Sequence, residues 1–451
     1  MSIEVIRVAP RPKWLPRAGS PLTLSFGASL VIQGCNMVTG LLLARTLGPH
    51  SRGELAAVLL WPTMIAVVGV LGLHDAVTFH VARKTVALGT LLGSSMVIVA
   101  AESAVCVAAG LAIVPLAFAR YDAGTLRAAY LFLAFVPLNI SLLVMMSILN
   151  GLHRFAQYHA LRMMTGVSTA AAIVSLRLID NLTVLHAVLV YLGVTLATAL
   201  VAAAMLPRAD LRRPGLSLAF SRQLLAFGLK SHSGIVTSMM NERLDQLVIA
   251  VFLSPIQLGL YAMAVTLTAP AVLIGSSVAL AAFPIVAHLE SADARRDAVR
   301  RFLRLTIAGS VVVVVPMIIL TSPMIAFFFK EAYLGAANVT RVLLVAAVAL
   351  SMNRALAACV KALDRPLDAG FGEFLALGVT VVALALLLPM LGIMGAAVAS
   401  LLAYAVSTVW MLRRTTRALD MSLASVLLPD GPELRRLARA YWRPRPLEAG
   451  E

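Results

Sequence analysis

The sequence predicts an all-α polytopic membrane protein, with about twelve transmembrane helices in two six-helix lobes related as a parallel repeat. Of its 451 residues, 60% are hydrophobic and only 13% are charged, and the mean hydropathy is +0.92. Soluble domains carry about 25% charged residues, so this composition excludes most soluble enzymes. A series of long apolar runs and an internal repeat are the other two observations that predict this fold class.

The apolar runs are separated by glycine, proline and charged residues, and each is long enough for a span of about 20 residues. The first run follows a basic, proline-rich segment and is too long for a signal peptide, which predicts a cytoplasmic N-terminus. The twelve predicted spans are 21–44, 54–73, 88–113, 128–149, 158–178, 182–206, 223–253, 258–286, 301–327, 338–360, 369–388 and 391–412.

The distribution of the cations predicts the orientation of the chain. Lys and Arg number 37 against 21 acidic residues, a formal charge of +16. Most of the cations fall in alternate predicted loops on the cytoplasmic side, Arg154 and Arg162 among them, whereas Arg45 and Arg52 fall in an outer loop. This asymmetry is typical of a membrane protein with both termini in the cytoplasm. It argues against a basic nucleic-acid-binding face.

Self-comparison predicts the two lobes. Residues 42–58 align with 248–264 and match Pro49 to Pro255 and Gly53 to Gly259, and GLHR (151–154) aligns with ALDR (362–365). Because six helices, an even number, separate the matches, the lobes are expected to share one orientation. The predicted parts are a cytoplasmic N-terminal segment (1–20), an N-lobe (21–206), a cytoplasmic linker (207–222), a C-lobe (223–413) and a basic cytoplasmic tail (414–451).

Ionisable residues within spans are candidate functional residues, because their burial in a membrane is expensive. The densest set lies on the seventh predicted span, where helical periodicity places Lys230, Ser233, Thr237, Asn241 and Asp245 on one stripe. Such a stripe either faces a cavity between the lobes or packs against a neighbouring helix. Two interpretations stay open.

Other charged residues lie off this stripe. Glu242 and Arg243 point elsewhere on the same helix, and Arg243 is expected either in an ion pair or in contact with substrate. Glu102 is near the middle of span three and is either a proton or cation site or a neutral carboxyl bonded within its lobe. The predicted substrate-binding residues are Lys230, Asn241, Arg243 and Arg354; those that balance or couple charge are Glu102, Glu242 and Asp245; and Ser233 and Thr237 are predicted to line the cavity.

No catalytic or metal-binding pattern is present in the sequence. The eight histidines are scattered, the three cysteines lie in apolar runs, and there is no Walker-type phosphate loop. These observations predict a protein that is not an enzyme and has no catalytic residue, metal site or cofactor, with coupling to an H⁺ or Na⁺ gradient left open.

Three segments carry a family resemblance. LLLARTLGPHSRGELAAV (41–58), NERLDQLVIAVFLSPIQLGLYAMA (241–264) and LGIMGAAVASLLAY (391–404) resemble the polysaccharide and lipid-linked oligosaccharide flippases of the multidrug/oligosaccharidyl-lipid/polysaccharide (MOP) exporter superfamily. The resemblance covers about residues 22–413.

The resemblance implies a fold like that of the MATE exporters, with two six-helix bundles around a central cavity. It implies export of a polyprenyl-pyrophosphate-linked glycan across the bacterial inner membrane, for cell-surface polysaccharide biosynthesis. The expected partners are membrane lipids, the lipid-linked glycan and other polysaccharide synthesis proteins, with no nucleic acid, and a monomer is expected. The alternatives are a cation-coupled multidrug exporter, a polytopic glycan polymerase or ligase, and a scaffold without transport activity in a secretion complex.

Overall fold

A computed structural model of the chain describes residues 21–206 and 215–423, together with Val426. The predicted N-terminal segment, 207–214 of the predicted linker and almost all of the predicted tail beyond 423 lie outside these residues. The described elements are α1 (Pro21–Gly69), α2 (Leu73–Arg83), α3 (Leu88–Ala117), α4 (Ala123–Phe132), α5 (Phe135–Gly151), α6 (Phe155–Leu178), α7 (Val184–Met205), α8 (Leu218–Phe252), α9 (Pro255–His288), α10 (Ala292–Ile319), α11 (Thr321–Phe329), a 3₁₀ helix (Glu331–Ala336), α12 (Ala337–Ala362), α13 (Pro366–Leu391) and α14 (Ile393–Ala418).

The described helices confirm the predicted all-α membrane fold. Among the described residues, nine helical stretches are long and apolar enough to cross a membrane. One of them, within α1, carries the first two predicted spans, which meet at Gly48, where φ is 73° and the helical backbone is interrupted. The fifth and seventh predicted spans coincide with α6 and α8, which are helical but more polar. All twelve predicted spans therefore lie on helices.

The chain divides into two compact units. The first contains the described parts of Met1–Leu267, Leu320–Arg341 and Thr380–Val398, and the second contains those of Thr268–Ile319, Val342–Val379 and Ala399–Glu451. In the first unit, a core of small and branched apolar side chains joins α1, α2, α3, α5 and α7 to the start of α8. In the second, a separate core joins α9, α10, α12 and α14. Burial of apolar side chains on both cores supplies the packing that holds the helices together.

The internal repeat is visible in the backbone of two short turns. His153 lies between α5 and α6 with φ 58°, and Asp364 lies between α12 and α13 with φ 60°. They are equivalent residues of the two matched tetrapeptides. In both turns the next residue, Arg154 or Arg365, donates its amide to a carbonyl five residues earlier. The same left-handed turn thus ends the same helix of each repeat.

The other matched segments pack directly against each other within the first unit. A Cβ atom added to Gly53 would lie 1.7 Å from the carbonyl oxygen of Pro255, and one added to Gly259 would lie 1.9 Å from that of Pro49. Each glycine therefore touches the proline turn of the other repeat. This reciprocal contact is what two repeats related by an axis between them produce.

Hydrogen bonds surround this glycine contact. Arg120 donates to the carbonyl oxygen of Phe252 at 2.7 Å, and the Tyr121 hydroxyl donates to that of Ala250 at 3.1 Å. Tyr333 likewise donates to Ala44. The last carbonyls of a helix have no partner within it, and here the loop before α4 satisfies those of α8.

Asp122 caps the N-terminus of α4. Its carboxylate accepts hydrogen bonds from the Thr125 hydroxyl and from the backbone amides of Gly124 and Thr125. The pKa of Asp122 is lowered, chiefly by the Thr125 hydroxyl and also by the two amides. The charged form is therefore the form that stabilises the helix end.

We expect Asp122→Ala to lower the free energy of unfolding by about 1 kcal/mol at pH 7. Because the pKa of this carboxyl is lower in the folded protein, its contribution is complete above the unfolded pKa of about 3.9 and is lost as pH falls through the folded pKa. Thermal unfolding in detergent at pH 7 and near pH 3 measures this difference. An equal difference between variant and wild type at both values would contradict the capping role.

Candidate functional site

A polar cavity of about 480 Å³ lies inside the first unit, within the predicted N-lobe. Its walls are formed by α1, α4, α5, α6 and α7. Most of its polar side chains are amides and hydroxyls that project from these apolar helices: Asn36, Thr63, Asn139, Tyr158, Thr165, Thr169, Tyr191 and Thr195. The cavity therefore presents polar side chains inside an apolar helical bundle, and such groups bind polar molecules.

Arg162 is the one charged residue among the side chains that line this cavity. Its guanidinium carbon lies 5.9 Å from the centre of the Tyr158 ring, one helical turn earlier on α6. Arg162 is half-buried, and no aspartate or glutamate lines the cavity. The cation–π contact positions the guanidinium while leaving its donors free to bind an anion.

The threonine hydroxyls around Arg162 are already oriented. Thr63 donates to the carbonyl oxygen of Leu59 at 2.6 Å and Thr195 to that of Tyr191 at 2.7 Å, each one turn back on its own helix. These bonds use the hydroxyl protons and leave oxygen lone pairs that can accept from sugar hydroxyls. The cavity therefore combines one fixed cation with several acceptors.

A second arginine lies next to the cavity. Arg52 is on the second half of α1, within electrostatic range of Tyr191 and Tyr333. Its Nε atom is buried and has no hydrogen-bond partner in the described part of the chain. Tyr191 also lines the cavity. Arg52 therefore lies close to the cavity wall that contains Arg162, although it does not line the cavity itself.

Both arginines lie on helices. The prediction counts Arg162 on the cytoplasmic side and Arg52 on the outer side, and the structure places them within α6 and the second half of α1. The sequence contained a signal for Arg162, because Tyr158, Arg162, Thr165 and Thr169 follow helical spacing inside the predicted fifth span. The spacing rule that identified the polar stripe of span seven identifies this one as well.

None of the predicted site residues lines this cavity. On α8, Lys230 is exposed, while Thr237, Asn241 and Asp245 are buried, each less than 5% exposed. Ser233 lies on the same helix, but its side chain is outside those that the structure describes. Glu242 and Arg243 are half-buried.

Asp245 is bonded within the protein. The Tyr261 hydroxyl of α9 donates to its Oδ2 atom at 2.5 Å, and the backbone amide of Gln246 donates to Oδ1 at 2.7 Å. Tyr261 is fully buried. These contacts link the polar stripe of α8 to α9 at Asp245, as the packing interpretation of the stripe expects at this residue.

Glu102 and Arg354 occupy different surroundings. Glu102 is buried on α3, and within the described residues neither of its carboxyl oxygens has a hydrogen-bond partner. Arg354 belongs to the second unit, on α12, where it donates to the Ser276 hydroxyl at 2.5 Å. Within the described chain, no group of three or more His, Cys, Asp or Glu residues is arranged to hold a metal ion.

The sequence was compared with known protein families and with curated proteins. A family model described as polysaccharide biosynthesis protein matches residues 42–338. No curated protein matches the sequence.

Solved structures share the fold at low identity. A multidrug resistance MATE family transporter of the MOP superfamily, in an inward-facing conformation, has 13% identity and a TM-score of 0.72, covering 89% of this chain and 99% of its own. The lipid II flippase MurJ, in an inward closed conformation, has 14% identity and a TM-score of 0.72, covering 90% and 91%. An outward-facing MATE family transporter has 14% identity and a TM-score of 0.59, covering 88% and 94%. The match to the family model covers most of the chain, and the chain therefore belongs to the polysaccharide biosynthesis protein family.

Proposed function

We propose that this protein flips a polyprenyl-pyrophosphate-linked oligosaccharide, or a polysaccharide repeat unit, from the cytoplasmic to the periplasmic leaflet of the bacterial inner membrane by alternating access. The observation that carries this proposal is the polar cavity with Arg162 as its charged lining residue. Membership of a polysaccharide biosynthesis family supports a glycan substrate. The likeness of the fold to a lipid II flippase supports a lipid-linked one.

The chemistry of the cavity matches the head group of such a substrate. A pyrophosphate carries negative charge beside a hydrophilic sugar, and a guanidinium binds phosphate or carboxylate oxygens through paired donors. The hydroxyl and amide groups around Arg162 offer donors and acceptors for sugar hydroxyls. The same cavity offers no carboxylate to a cationic drug, which supports a glycan rather than a multidrug substrate.

The residues predicted from the sequence complete the proposed transport path. Lys230, Asn241, Arg243 and Arg354 are proposed as further substrate contacts, and Glu102, Glu242 and Asp245 as groups that balance or couple charge, with Ser233 and Thr237 as polar lining. The protein acts as a monomer without a cofactor, and both termini face the cytoplasm. The described connections between helices are only a few residues long, which supports a transporter rather than a polymerase with a large catalytic loop.

We expect Arg162→Gln to reduce transport of a labelled lipid-linked glycan in proteoliposomes by about tenfold or more. Loss of one hydrogen-bonded charge contact removes about 1.5–3 kcal/mol, and 1.4 kcal/mol is a factor of ten. Arg177→Gln is the matched control, because Arg177 is on the same helix but is exposed and paired with Asp180. Folding is checked by size-exclusion chromatography of both variants.

Unchanged glycan transport in Arg162→Gln would contradict the proposal that the substrate binds in this cavity. If the wild-type protein moved no lipid-linked glycan but extruded a cationic dye, the proposed substrate class would be wrong. Transport lost equally in Arg162→Gln and Arg177→Gln would assign the effect to the helix as a whole and would contradict a specific anion contact.

A further inference from the structure

Two histidines meet where α2 packs against α8. His74 is in the first turn of α2 and His232 is on α8, and their ring centroids are 6.5 Å apart with the planes at 81°. Beside them the two backbones touch, because a Cβ atom on Gly72 would lie 2.2 Å from the carbonyl oxygen of Gly228. Gly72 has φ 71°, at the break between α1 and α2. Both rings therefore lie where the backbones of α2 and α8 are in close contact, so a movement of either ring affects this contact.

The hydrogen bonds of the pair leave two ring nitrogens vacant. His232 is 4% exposed, and its Nε2 atom lies 3.2 Å from the carbonyl oxygen of Val68, in the last turn of α1. A carbonyl only accepts, so Nε2 carries the proton of this bond and Nδ1 is a bare acceptor in the neutral ring. The Nδ1 atoms of His74 and His232 are both buried, and neither has a hydrogen-bond partner in the described residues.

We propose that His74 and His232 together bind one proton and that this proton couples a pH gradient to movement of α8 against α2. The proposal rests on the proposed transport function and names its coupling ion. Histidine is the side chain that titrates between pH 5 and 8. A proton on Nδ1 of His232 needs an acceptor, and the ring of His74, whose Nδ1 is also vacant, is in edge contact with it. The two rings must approach and turn for these nitrogens to come within hydrogen-bond distance, about 3 Å.

Burial lowers the pKa of His74, and the neighbouring Asp75 carboxylate acts against that shift. His232 lies at the carbonyl end of α1, which favours a cation. Asp75 Oδ1 lies 3.6 Å from Nε2 of His74 and balances the charge. Two protonated rings this close would repel each other. The helices packed around the pair carry other titratable or charged groups. They are Asp75, His80 and Arg83 on α2, Arg222, Lys230, Glu242, Arg243 and Asp245 on α8, Glu102 and Cys106 on α3, and Cys35, Arg45, His50, Arg52 and Glu54 on α1, whereas α5 carries none.

The proton-dependent movement can be measured in the full-length protein without substrate. Spin labels on Ala82→Cys of α2 and Gln223→Cys of α8, both exposed positions, report the distance between these helices after the three native cysteines are replaced by alanine. We expect the mean distance in the wild-type background to change by about 1 Å or more between pH 8 and pH 5.5, with one midpoint in that range.

His74→Gln and His232→Gln are each expected to abolish this change, whereas His288→Gln, an exposed histidine at the end of α9, leaves it intact. Asp75→Asn is expected to move the midpoint to lower pH, because it removes the balancing charge while leaving both rings in place. A distance that is the same at both pH values, or a change that persists in the His232→Gln protein, would overturn the proposal. An unmoved midpoint in Asp75→Asn would equally do so.

A transport measurement separates this inference from the proposed function. In proteoliposomes with a pH gradient, His74→Gln and His232→Gln should lose stimulation of glycan transport by the gradient and keep the rate measured without it. Failure of the wild-type protein to transport glycan, with the distance change present, would contradict the proposed function alone. Stimulation by the gradient that survives in both variants would contradict the proton site alone.

Discussion

Gly53→Ala is expected to lower the free energy of unfolding by about 3 kcal/mol or more and to abolish transport. The new methyl group would lie 1.7 Å from the carbonyl oxygen of Pro255, so the two repeats could pack only after a backbone shift. Overpacking of this kind costs about 1–3 kcal/mol where flexible side chains can yield, and here the obstacle is backbone. Thermal unfolding in detergent, followed by size-exclusion chromatography, measures the loss.

Gly34→Ala is the matched control. It is on the same helix and has no atom within 4 Å of the added carbon, so its stability is expected to be that of the wild type or slightly higher. Gly259→Ala should resemble Gly53→Ala, because its Cβ atom meets Pro49. The double variant should be less destabilised than the two single effects added together, since one backbone shift relieves both clashes. Full additivity, or a wild-type melting temperature in Gly53→Ala, would contradict the reciprocal contact.

Tyr261→Phe is expected to destabilise the protein by about 1–3 kcal/mol, because it removes the hydroxyl donor from a buried carboxylate. Asp245 receives this bond at 2.5 Å and is 4% exposed, so water does not replace the donor freely. Asp245→Asn should also destabilise, since its single amide oxygen can accept from Tyr261 or from the Gln246 amide but not from both. Melting temperatures of the two variants in the same detergent give the comparison.

Tyr130→Phe, an exposed tyrosine on α4, controls for loss of a hydroxyl and should be neutral. If Tyr261→Phe were as stable as Tyr130→Phe, the bond to Asp245 would have no structural role. Transport by Asp245→Asn protein that remains folded then tests the predicted charge-coupling role, because the substitution removes the charge and keeps one acceptor oxygen. A wild-type transport rate in this variant would contradict that role.

The repeat shows why one short motif was informative. The residue pairs Pro49/Pro255 and Gly53/Gly259 identified equivalent positions in the two matched segments, and the turn at His153 and Asp364 has the same local conformation twice. Local backbone conformation follows from residue type and short-range hydrogen bonds. The equivalence of these two turns could therefore be predicted from the sequence. Direct contact between equivalent residues depends on how one repeat packs on the other, and no pattern in either repeat specifies that.

For the charged residues, the sequence predicted much less of the environment. Counting cations predicts the orientation of the chain, but it does not show that Arg162 lines a cavity, because a count by segment carries no information on which side of a helix a residue lies. The helical spacing of Tyr158, Arg162, Thr165 and Thr169 was available in the sequence, yet spacing alone does not distinguish a cavity from tight packing. Asp245 shows the same ambiguity, since only the position of Tyr261 reveals a bonded carboxylate.

The sequence by itself determined that this chain is a helical membrane protein with two repeats, because hydrophobicity and helical period are properties of short segments. It also carried the family resemblance, which the family model confirmed. Only the tertiary structure decided which polar groups share a cavity, which glycines meet and that His74 lies beside His232. These juxtapositions join residues from different helices, and they are fixed by packing between helices that are far apart along the chain.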